Sequence, residues 1–464
     1  MTSIQPQIEA QLLNDFDLKR NYMKQNSNSR RKFLKSSALG AAGLAFSAKS
    51  YARILGANDR INMATAGLNS RGHAHLSMAK NLHRDINVVG LIDVDSRVFK
   101  KVQSRFKDTV SDAKVYSDFR KALENKDIDM LTIATPDHWH APMAIMALQA
   151  GKDVYLEKPC CHNPQEGYWL ADAVAKTGKK LQIGNQQRSA PTTRSLVTDL
   201  REGIIGEVYY AKTWYENNRG SIGTGKPMAV PAEFDWDLWQ GPAPRKALMD
   251  NYVHYNWHWF WHWGTGEVSN NGLHEMDIAR FALGVDIPNK VSSAGGRFVF
   301  KDDWEFWDTQ NVSFEFDEGK MITWEGRSCN GMNTNKEHGG RGTWIHGTKG
   351  TAVVDRGGYI IYDKDNKVIK SENERSGDSG VDTQGISGLD DYHMKNFVDA
   401  IQKGTPLNSP IDEAIKSTLL CHLGNMAQQT NKTLMVDTAT GKPKDADAMA
   451  YWEREYEKGW KPKV

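Results

Sequence analysis

Apolar and polar positions alternate in blocks along residues 58–184, and the blocks predict strands and helices in turn. Short apolar runs predict buried strands, and the Ala-rich or amphipathic stretches between them predict helices. The predicted strands cover residues 62–66, 86–92, 131–135, 153–156 and 180–183, and the predicted helices include residues 74–81 and 164–177. Strands linked by helices in this way form a parallel sheet, and ligands bind at the carboxyl ends of its strands.

From Gly206 onwards the hydrophobic period shifts towards two. Strands are predicted at residues 207–215, 290–300, 309–316, 321–327, 342–347 and 350–355. One amphipathic helix, at residues 273–283, interrupts them. Several long strands with few helices between them are typical of a largely antiparallel sheet. The sequence therefore predicts an α/β protein with a parallel sheet first and a mainly antiparallel sheet second.

A tight glycine turn joins the first predicted strand to the first predicted helix. It reads Gly67-Leu68-Asn69-Ser70-Arg71-Gly72, which is G-x-N-x-x-G in place of the dinucleotide-binding pattern G-x-G-x-x-G. Asn is the non-glycine residue that best tolerates positive φ, so we expect Asn69 to hold the turn while its backbone approaches a pyrophosphate. A plain loop is the alternative, but the strand before the turn and the helix after it favour a nucleotide site.

An acidic residue, Asp93, ends the second predicted strand about twenty residues past the last glycine of the turn. A carboxylate there can accept hydrogen bonds from both hydroxyls of an adenosine ribose and would repel a 2′-phosphate, which favours NAD over NADP. Arg97 lies close enough to complicate that preference. Alternatively, Asp93 caps a helix that begins near Ser96.

The stretch 131–159 carries a candidate for chemistry. A strand ends at Thr135-Pro136, a helix follows, and a second strand delivers Glu157-Lys158-Pro159 to the carboxyl edge of the sheet. A lysine after a strand is usually a solvated surface residue. Between Glu and Pro at a ligand-binding edge, Lys158 is instead predicted to be functional.

Three segments resemble the Gfo/Idh/MocA family of NAD(P)-dependent sugar and polyol oxidoreductases: ATPDHWHAPMAIMALQAGKDVYLEKP, GLNSRGH and GLIDVDSR. The similarity covers nearly the whole chain after about residue 58. It implies a Rossmann domain at residues 58–184 and, at residues 185–464, a C-terminal α/β domain with an open, mainly antiparallel sheet for substrate binding and oligomer contact. The last segments of the chain can pack back on the Rossmann domain.

The same resemblance implies the cofactor site, in which Lys158 lies beside the nicotinamide. The expected cofactor-binding residues are Gly67, Asn69, Ser70, Arg71, Gly72, Asp93, Thr135, Pro136, His138, His140, Glu157, Lys158 and Asn185. A polar loop without a ligand is the alternative for the segment around Asn185.

Catalytic residues of the second domain are also implied by the resemblance. The family's D-x-x-x-H pair falls where this chain has Asn270 and His274, so His274 lacks the carboxylate that would raise its basicity. We expect His274 or Tyr215 to complete a proton relay with Lys158. Packing is the alternative role for Tyr215.

An aromatic segment, residues 254–263, places indoles at alternate positions. We expect Trp257, Trp259 and Trp261 to form a wall that stacks on sugar rings, with Asn270 and His274 also binding substrate. Buried core or a subunit interface are the alternatives for the wall, which Trp236, Trp239 and Trp304 would extend. Histidines four apart could ligate a metal in a helix, but the segment has no Cys or carboxylate, so no metal is predicted.

The amino terminus predicts export. Paired arginines in Ser29-Arg30-Arg31-Lys32-Phe33-Leu34-Lys35 precede a weakly apolar run at residues 38–48, as in a twin-arginine signal. Cleavage is expected after Ala52, or alternatively after Ser47, which makes residues 1–52 a signal region and the protein periplasmic. The run is too short to be a stable membrane anchor. A basic patch before an amphipathic helix is the alternative.

The overall composition limits the classes of partner that the protein is expected to bind. The chain has 59 Lys and Arg against 57 Asp and Glu, a net charge of +2, which argues against nucleic-acid binding. Its four cysteines are expected to be free, buried thiols. An open sheet rich in aromatic residues is normally covered by a partner, so a homo-oligomer is expected.

Three functions are compatible with these patterns. The first is an NAD-dependent oxidoreductase with tightly held cofactor, acting on a secondary hydroxyl, carbon 3, of a sugar or glycoside. The second is a glycosidase resembling the NAD-dependent α-N-acetylgalactosaminidases. Such an enzyme oxidises a sugar hydroxyl to a ketone, eliminates the aglycone, adds water and reduces the ketone again. FDWDLWQGPAP and YWEREYEKGWKP resemble an exported bacterial subgroup, although Asn270 to His274 and Asp137 to His140 depart from the glycosidase motifs. The third is a sugar-binding protein without turnover, against which the intact Lys158 argues.

Overall fold

The computed structural model describes residues 60–332, 338–373 and 388–464. The predicted twin-arginine signal region, residues 1–52, lies outside the described residues.

A six-stranded, wholly parallel sheet forms the first half of the molecule, in the strand order β3-β2-β1-β4-β5-β6. Its strands are β1 (Ile61–Ala66), β2 (Ile86–Ile92), β3 (Lys114–Tyr116), β4 (Met130–Ile133), β5 (Asp153–Leu156) and β6 (Leu181–Ile183). Its helices are α1 (Gly72–Asn81), α2 (Arg97–Arg105), α3 (Phe119–Glu124), α4 (Asp137–Gln149) and α5 (Pro164–Thr177). This is the predicted Rossmann arrangement, and the reversal of strand order beside β1 opens a crevice at the carboxyl edge.

A nine-stranded open sheet forms the second half, in the order β14-β13-β12-β11-β7-β10-β9-β8-β15. Its strands are β7 (Val208–Glu216), β8 (Lys290–Gly296), β9 (Thr309–Glu315), β10 (Met321–Arg327), β11 (Arg341–Gly347), β12 (Gly350–Asp355), β13 (Gly358–Asp363), β14 (Val368–Asn373) and β15 (Leu434–Met435). All neighbours are antiparallel except β10 and β7, so the predicted open, mainly antiparallel sheet is confirmed.

The sequence-based elements differ from the structure at a few places in this sheet. The strand predicted at 290–300 ends at Gly296, because Asp308 accepts the backbone N–H groups of Phe298 and Val299 and turns the chain away. Strands β13, β14 and β15 were not predicted. Strand β14 lies at the sheet edge and is mostly exposed, and polar residues on both of its faces hide the alternation.

Helices cover one face of the second sheet. They are α6 (Pro191–Arg201), α8 (Leu273–Leu283) and α10 (Ile411–Thr430), whereas α7 (Trp236–Gln240) and α11 (Ala446–Met449) are short. Alternate strand residues such as Val312, Phe314 and Trp324 point into this layer and are fully or almost fully buried. The helix predicted at 273–283 has the predicted bounds and lies in the core.

The chain's late segments return to the first sheet. Helix α9 (Gly388–Lys403) places Met394, Phe397 and Val398 in the same apolar core as Leu76 and Met130 of the Rossmann half. Near the carboxyl terminus, Trp460 packs edge-on against Trp139 of α4. The two halves are thereby joined through shared packing as well as through the chain connection.

All four cysteines are free, as predicted, and three of them are buried, but Cys329 is only half-buried, so the prediction of burial is wrong for that residue. In the described part of the chain no helix combines the length and the apolar character that crossing a bilayer requires.

Candidate active site

One cleft of about 440 Å³ lies between the carboxyl edge of the parallel sheet and the second sheet. Of the predicted cofactor residues, it is lined by Gly67, Asn69, Ser70, Arg71, Asp93, Thr135, Pro136, His140, Glu157 and Lys158. Of the predicted catalytic and substrate residues, it is lined by Tyr215, Trp257, Asn270 and His274. The structure thus brings the glycine turn and Lys158 together with groups from the second domain. Gly72, His138, Asn185, Trp259 and Trp261 do not line it.

The glycine turn has the geometry of a backbone cradle. Gly67 has φ of 83°, and a Cβ there would lie 2.4 Å from the backbone oxygen of Ala134. A Cβ on Gly72 would lie 2.0 Å from the oxygen of Gly67, so Gly72 acts by letting helix and turn approach closely. The expectation that Asn69 adopts positive φ is wrong, because Gly67 supplies that conformation.

Asp93 lies at the end of β2 beside the glycine turn. Its Oδ2 accepts a 2.7 Å hydrogen bond from the backbone N–H of Leu68, and its Oδ1 accepts one of 3.0 Å from Asp95. Burial raises the pKa of Asp93 to about 6. The capping alternative is wrong, since Asp95 and not Asp93 accepts the N–H of Arg97. Asp95 also forms an ion pair of 2.7 Å with the Arg97 guanidinium. The positive charge of Arg97 is therefore already paired with a carboxylate.

Lys158 reaches across the cleft from the end of β5. Its Nζ donates a 2.7 Å hydrogen bond to the backbone oxygen of Asn270 in the second domain. Burial lowers the pKa of Lys158, so its ammonium group loses its proton more readily than an exposed lysine does.

A buried ionic network holds the segment before Lys158. Glu157 Oε1 accepts hydrogen bonds from Arg71 Nε at 2.8 Å and lies 3.0 Å from His75 Nε2. Arg71 also pairs with Asp390 of α9, at 2.9 Å. Burial by itself raises the pKa of Glu157, but Arg71 and His75 outweigh burial and hold that pKa well below its usual range. Sequence reasoning missed His75 and Asp390, since nothing local signals their contact with Glu157.

The two histidines at the start of α4 have different positions. His140 lines the cleft, and its ring nitrogens lie 2.8 Å from the Thr135 oxygen and 2.6 Å from the Pro159 oxygen. His138 is fully buried, with Nε2 3.0 Å from the backbone oxygen of Trp239. The prediction that His138 contacts the cofactor is therefore corrected, because its side chain points from the helix into the aromatic core.

Asn185 also departs from its prediction. It is buried behind the cleft, where its Nδ2 donates to Ser409 Oγ at 3.2 Å. The next residue, Gln186, lines the cleft instead and donates to Glu157 Oε1 at 3.2 Å. The turn after β6 therefore presents one amide to the cleft, one residue later than predicted.

His274 opens α8, directly after a π-helical turn at Val268–Gly272. No residue of the described ranges hydrogen-bonds its imidazole, and its side chain lines the cleft. Burial, followed by the positive charge of Arg356, lowers its pKa well below the usual value. His274 is therefore a neutral imidazole at neutral pH and can accept a proton. Asn270, one turn earlier, donates to Glu267 at 3.3 Å.

Tyr215 lies near the end of β7 and lines the cleft. Its hydroxyl accepts a 2.6 Å hydrogen bond from Asn217, and the Arg341 guanidinium lies over its ring at 5.2 Å. Burial, with the negative charge of Glu267, raises its pKa, so the phenol stays protonated. It can donate a hydrogen bond to a ligand.

The aromatic segment does not form the predicted wall. Trp257 lines the cleft, but Trp259 is buried and stacks on Trp304 at 4.0 Å, while Trp261 packs on Phe306 at 4.1 Å. Residues Asn256–Trp259 form a 3-10 turn, in which alternate residues point in different directions, so the indoles do not share a face. The core alternative holds for Trp259, whereas Trp261 is half-buried and packs against the edge of that core. The described residues contain no cluster of three or more His, Cys, Asp or Glu side chains that could hold a metal ion.

Sequence reasoning missed the arginines that the second domain contributes to the cleft. They are Arg219, Arg341 and Arg356. Arg219 pairs with buried Glu267 at 2.5 Å, and Arg341 pairs with buried Glu275 at 2.6 Å. An arginine on a strand or turn follows no sequence pattern that predicts a binding residue. Only the fold shows that these three arginines line the cleft.

Family models match both halves of the chain. The model described as an oxidoreductase family with NAD-binding Rossmann fold, Gfo/Idh/MocA, matches residues 61–185. Its companion, the oxidoreductase family C-terminal alpha/beta domain, matches residues 210–355.

Two curated relatives are named as glycosidases. The alpha-N-acetylgalactosaminidase of Tannerella forsythia is 25% identical over 269 residues, 52% of this chain and 57% of that protein. A glycosyl hydrolase family 109 protein of Parabacteroides distasonis is 25% identical over 340 residues, 67% of this chain and 71% of that protein. The match to the first spans little more than half of that enzyme's length.

Solved structures share the fold. An oxidoreductase domain protein from Kribbella flavida has a TM-score of 0.63 at 18% identity, covering 81% of this chain and 98% of its own. The WlbA dehydrogenase from Bordetella pertussis, in complex with NADH and UDP-GlcNAcA, has a TM-score of 0.60 at 16% identity, covering 82% and 99%.

Proposed function

The chain belongs to the Gfo/Idh/MocA family of oxidoreductases, and on that premise we propose that it is an NAD-dependent enzyme that oxidises a secondary hydroxyl of a sugar or glycoside. The observation that carries the proposal is that Lys158, His274 and the glycine turn line one cleft. We place the reaction at carbon 3 of a hexose or hexoside.

The residues of the cleft fit a dinucleotide. The positive φ of Gly67 and the absence of a Cβ at Gly72 leave room for backbone close to a pyrophosphate. Asp93 faces the cleft one strand away, where an ionised carboxylate accepts ribose hydroxyls and repels a 2′-phosphate. These features support NAD over NADP.

When bound, NAD⁺ supplies the hydride acceptor for the alcohol's oxidation. The chain's own groups handle the proton and the orientation. The neutral imidazole of His274 takes the hydroxyl proton, and the ammonium group of Lys158 donates a hydrogen bond to the same oxygen. The Tyr215 hydroxyl orients the sugar from the side of the second sheet. Asn270 stands where the family has a carboxylate, so no acidic residue at that position raises the basicity of His274. The imidazole of His274 is nevertheless neutral, as a base must be.

Hydrolysis is the second candidate, favoured by the names of the two curated relatives. In that reaction the ketone would acidify the neighbouring C–H, the aglycone would leave, water would add, and the carbonyl would be reduced again. It needs a further group to remove the C–H proton. A sugar-binding protein without turnover is the third, and the half-buried, cleft-facing Lys158 argues against it.

One assay distinguishes the three. The purified protein is incubated with a panel of nitrophenyl glycosides, and NADH absorbance and nitrophenol release are followed together. NADH without nitrophenol supports oxidation, and nitrophenol without added NAD supports hydrolysis. Silence in both channels contradicts both enzymatic functions. Mass spectrometry of nucleotide released from denatured protein tests whether NAD is tightly held.

We further propose export by the twin-arginine pathway to the periplasm, supported by Arg30-Arg31 and the apolar run after them. Little free NAD is expected there, which is our reason for proposing a retained cofactor. Replacing both arginines by lysine should leave the protein in the cytoplasmic fraction. Equal periplasmic yield of wild type and variant would contradict export by this pathway.

We also propose a homo-oligomer that covers the outer face of the second sheet. On that face the half-buried rings of Tyr210 and His346 stack at 5.4 Å, and Trp344 lies 6.3 Å from Tyr362. An aromatic patch of this kind is typical of subunit interfaces. Light scattering of the purified protein tests it, and a monomer at micromolar concentration would contradict it.

A further inference from the structure

Arg356 is the one arginine lining the cleft that has no acidic partner among the described residues. It lies in the turn between β12 and β13, and its half-buried side chain lines the cleft. None of the described residues hydrogen-bonds or ion-pairs with its guanidinium. The other lining arginines each have a carboxylate, namely Arg71 with Glu157 and Asp390, Arg219 with Glu267, and Arg341 with Glu275.

In these surroundings the positive charge of Arg356 is electrostatically unfavourable without an acidic partner. Burial, and then the positive charge of Arg341, lower the pKa of Arg356 to about 9. The charge of Arg356 in turn contributes to the lowered pKa values of His274 and Lys158. A half-buried cation that lies beside other cations is unfavourable unless an anion joins it. Glu275 and Asp390 partly offset these positive charges, but neither of them hydrogen-bonds or ion-pairs with the Arg356 guanidinium among the described residues.

We propose that Arg356 binds a carboxylate carried by the substrate, so that the enzyme acts on an acidic sugar of the uronic acid type. This inference rests on the proposed function and narrows its substrate class. A guanidinium matches a carboxylate with two parallel hydrogen bonds, and such charged pairs are strong where water is excluded. His274 and Lys158 lie close enough to feel the charge of Arg356, so the bound carboxylate would fix the sugar next to the reacting groups.

The test is direct binding, which needs no turnover. Protein carrying its nucleotide is titrated by calorimetry with glucuronate, galacturonate and mannuronate, and with glucose, galactose and mannose as matched neutral sugars. Glucose 6-phosphate is a further arm that separates a phosphate from a carboxylate. The variants are Arg356→Met, Arg356→Lys and, as control, Arg84→Met, which removes an exposed arginine outside the cleft.

We expect at least one uronate to bind about tenfold or more tightly than its neutral partner. Arg356→Met should weaken that uronate by about 10- to 100-fold and leave neutral sugars unchanged. Arg356→Lys should retain part of the preference, because it keeps the charge and loses the fork. Arg84→Met should bind as wild type does.

Three results would overturn the inference. Equal binding of uronates and neutral sugars, or no binding of either, removes the acidic substrate. A preference for the sugar phosphate assigns Arg356 to a phosphate instead. Loss of nucleotide from Arg356→Met, measured by mass spectrometry, assigns the arginine to the cofactor. Failure of the proposed function has a different signature, because a protein without NAD chemistry can still bind uronates and would simply form no NADH.

Discussion

The ammonium group of Lys158 donates a 2.7 Å hydrogen bond to the backbone carbonyl oxygen of Asn270. Lys158 lies two residues after β5 of the first sheet, and Asn270 belongs to the π-helical turn that leads into α8 of the second domain. This single contact ties the position of the amino group to the placement of both domains. The lysine is thus held at the cleft before any ligand arrives, which is what a positioned hydrogen-bond donor requires.

Lys158→Met should lower kcat by about 10²- to 10⁴-fold while the protein still retains NAD. The side chain keeps its bulk but loses the charge that orients the substrate oxygen. Steady-state kinetics and mass spectrometry of bound nucleotide measure the two effects, with Arg84→Met as the control for loss of a positive charge. Unchanged kcat in Lys158→Met would contradict the proposed mechanism.

His274→Asn should lower kcat by about 10²- to 10⁴-fold, because the neutral imidazole is the proposed proton acceptor. The folded protein lowers the pKa of His274, so its base form persists to lower pH than in an ordinary histidine with a pKa of about 6.5. The wild-type kcat profile should therefore fall only at pH values below that. An acidic limb that is the same in wild type and variant would show that another group is the base.

Affinity for NAD should weaken as pH falls through about 6, the pKa to which burial raises Asp93. Above that pH the carboxylate is ionised and accepts the ribose hydroxyls, and below it the protonated form loses that capacity. Asp93→Asn should remove the pH dependence and reduce the preference for NAD over NADP. Titrations of both nucleotides, followed by protein fluorescence across pH, measure this. A pH dependence that survives in Asp93→Asn would assign it to a different group.

Glu157→Gln should lower the free energy of unfolding at neutral pH by about 3 kcal/mol, because Arg71 and His75 then lose a buried carboxylate. The folded pKa of Glu157 is depressed, so its stabilisation is present above the unfolded pKa of about 4 and is lost as pH falls below it. Denaturant unfolding at several pH values measures the difference. A stability gap between wild type and variant that stays constant down to pH 3 would be contrary to this account.

Trp257→Ala and Trp259→Ala form a matched pair two residues apart in one 3-10 turn. Trp257 lines the cleft, so its loss should raise KM for the sugar. Trp259 is 1% exposed and stacks on Trp304, so its loss should cost about 3–5 kcal/mol of unfolding free energy with KM little changed. If Trp259→Ala raised KM as much as Trp257→Ala does, the result would contradict this assignment and support the stacking wall that the sequence predicted.

Local patterns were sufficient for the parts of the site that come shortly after a strand in the sequence. The glycine turn, the acid that ends β2 and the lysine that ends β5 each follow a strand, and the carboxyl edge of a parallel sheet collects whatever follows its strands. For that reason Gly67, Asp93 and Lys158 line one cleft as expected. The neighbouring His138 and Asn185 were misplaced because one step along a helix or turn redirects a side chain.

Long-range partners were beyond the reach of sequence patterns. Arg356 follows a strand and precedes two glycines, which reads as an ordinary charged hairpin turn. Whether an arginine has an acidic partner is a property of the folded molecule, since Glu275 and Arg341 are far apart along the chain and pair only in space. The prediction of a wall of alternating indoles was wrong for a related reason. Residues two apart share a face only in an extended strand.

Helix α9 completes the core of the nucleotide domain with side chains that the ribosome adds late in synthesis. A fragment that stops at the end of the parallel sheet would leave Leu76 and Met130 uncovered where Phe397 now packs. The apolar core of the Rossmann domain is therefore built from two distant parts of the sequence. We therefore expect this core to be completed only after residues 388–403 have been synthesised.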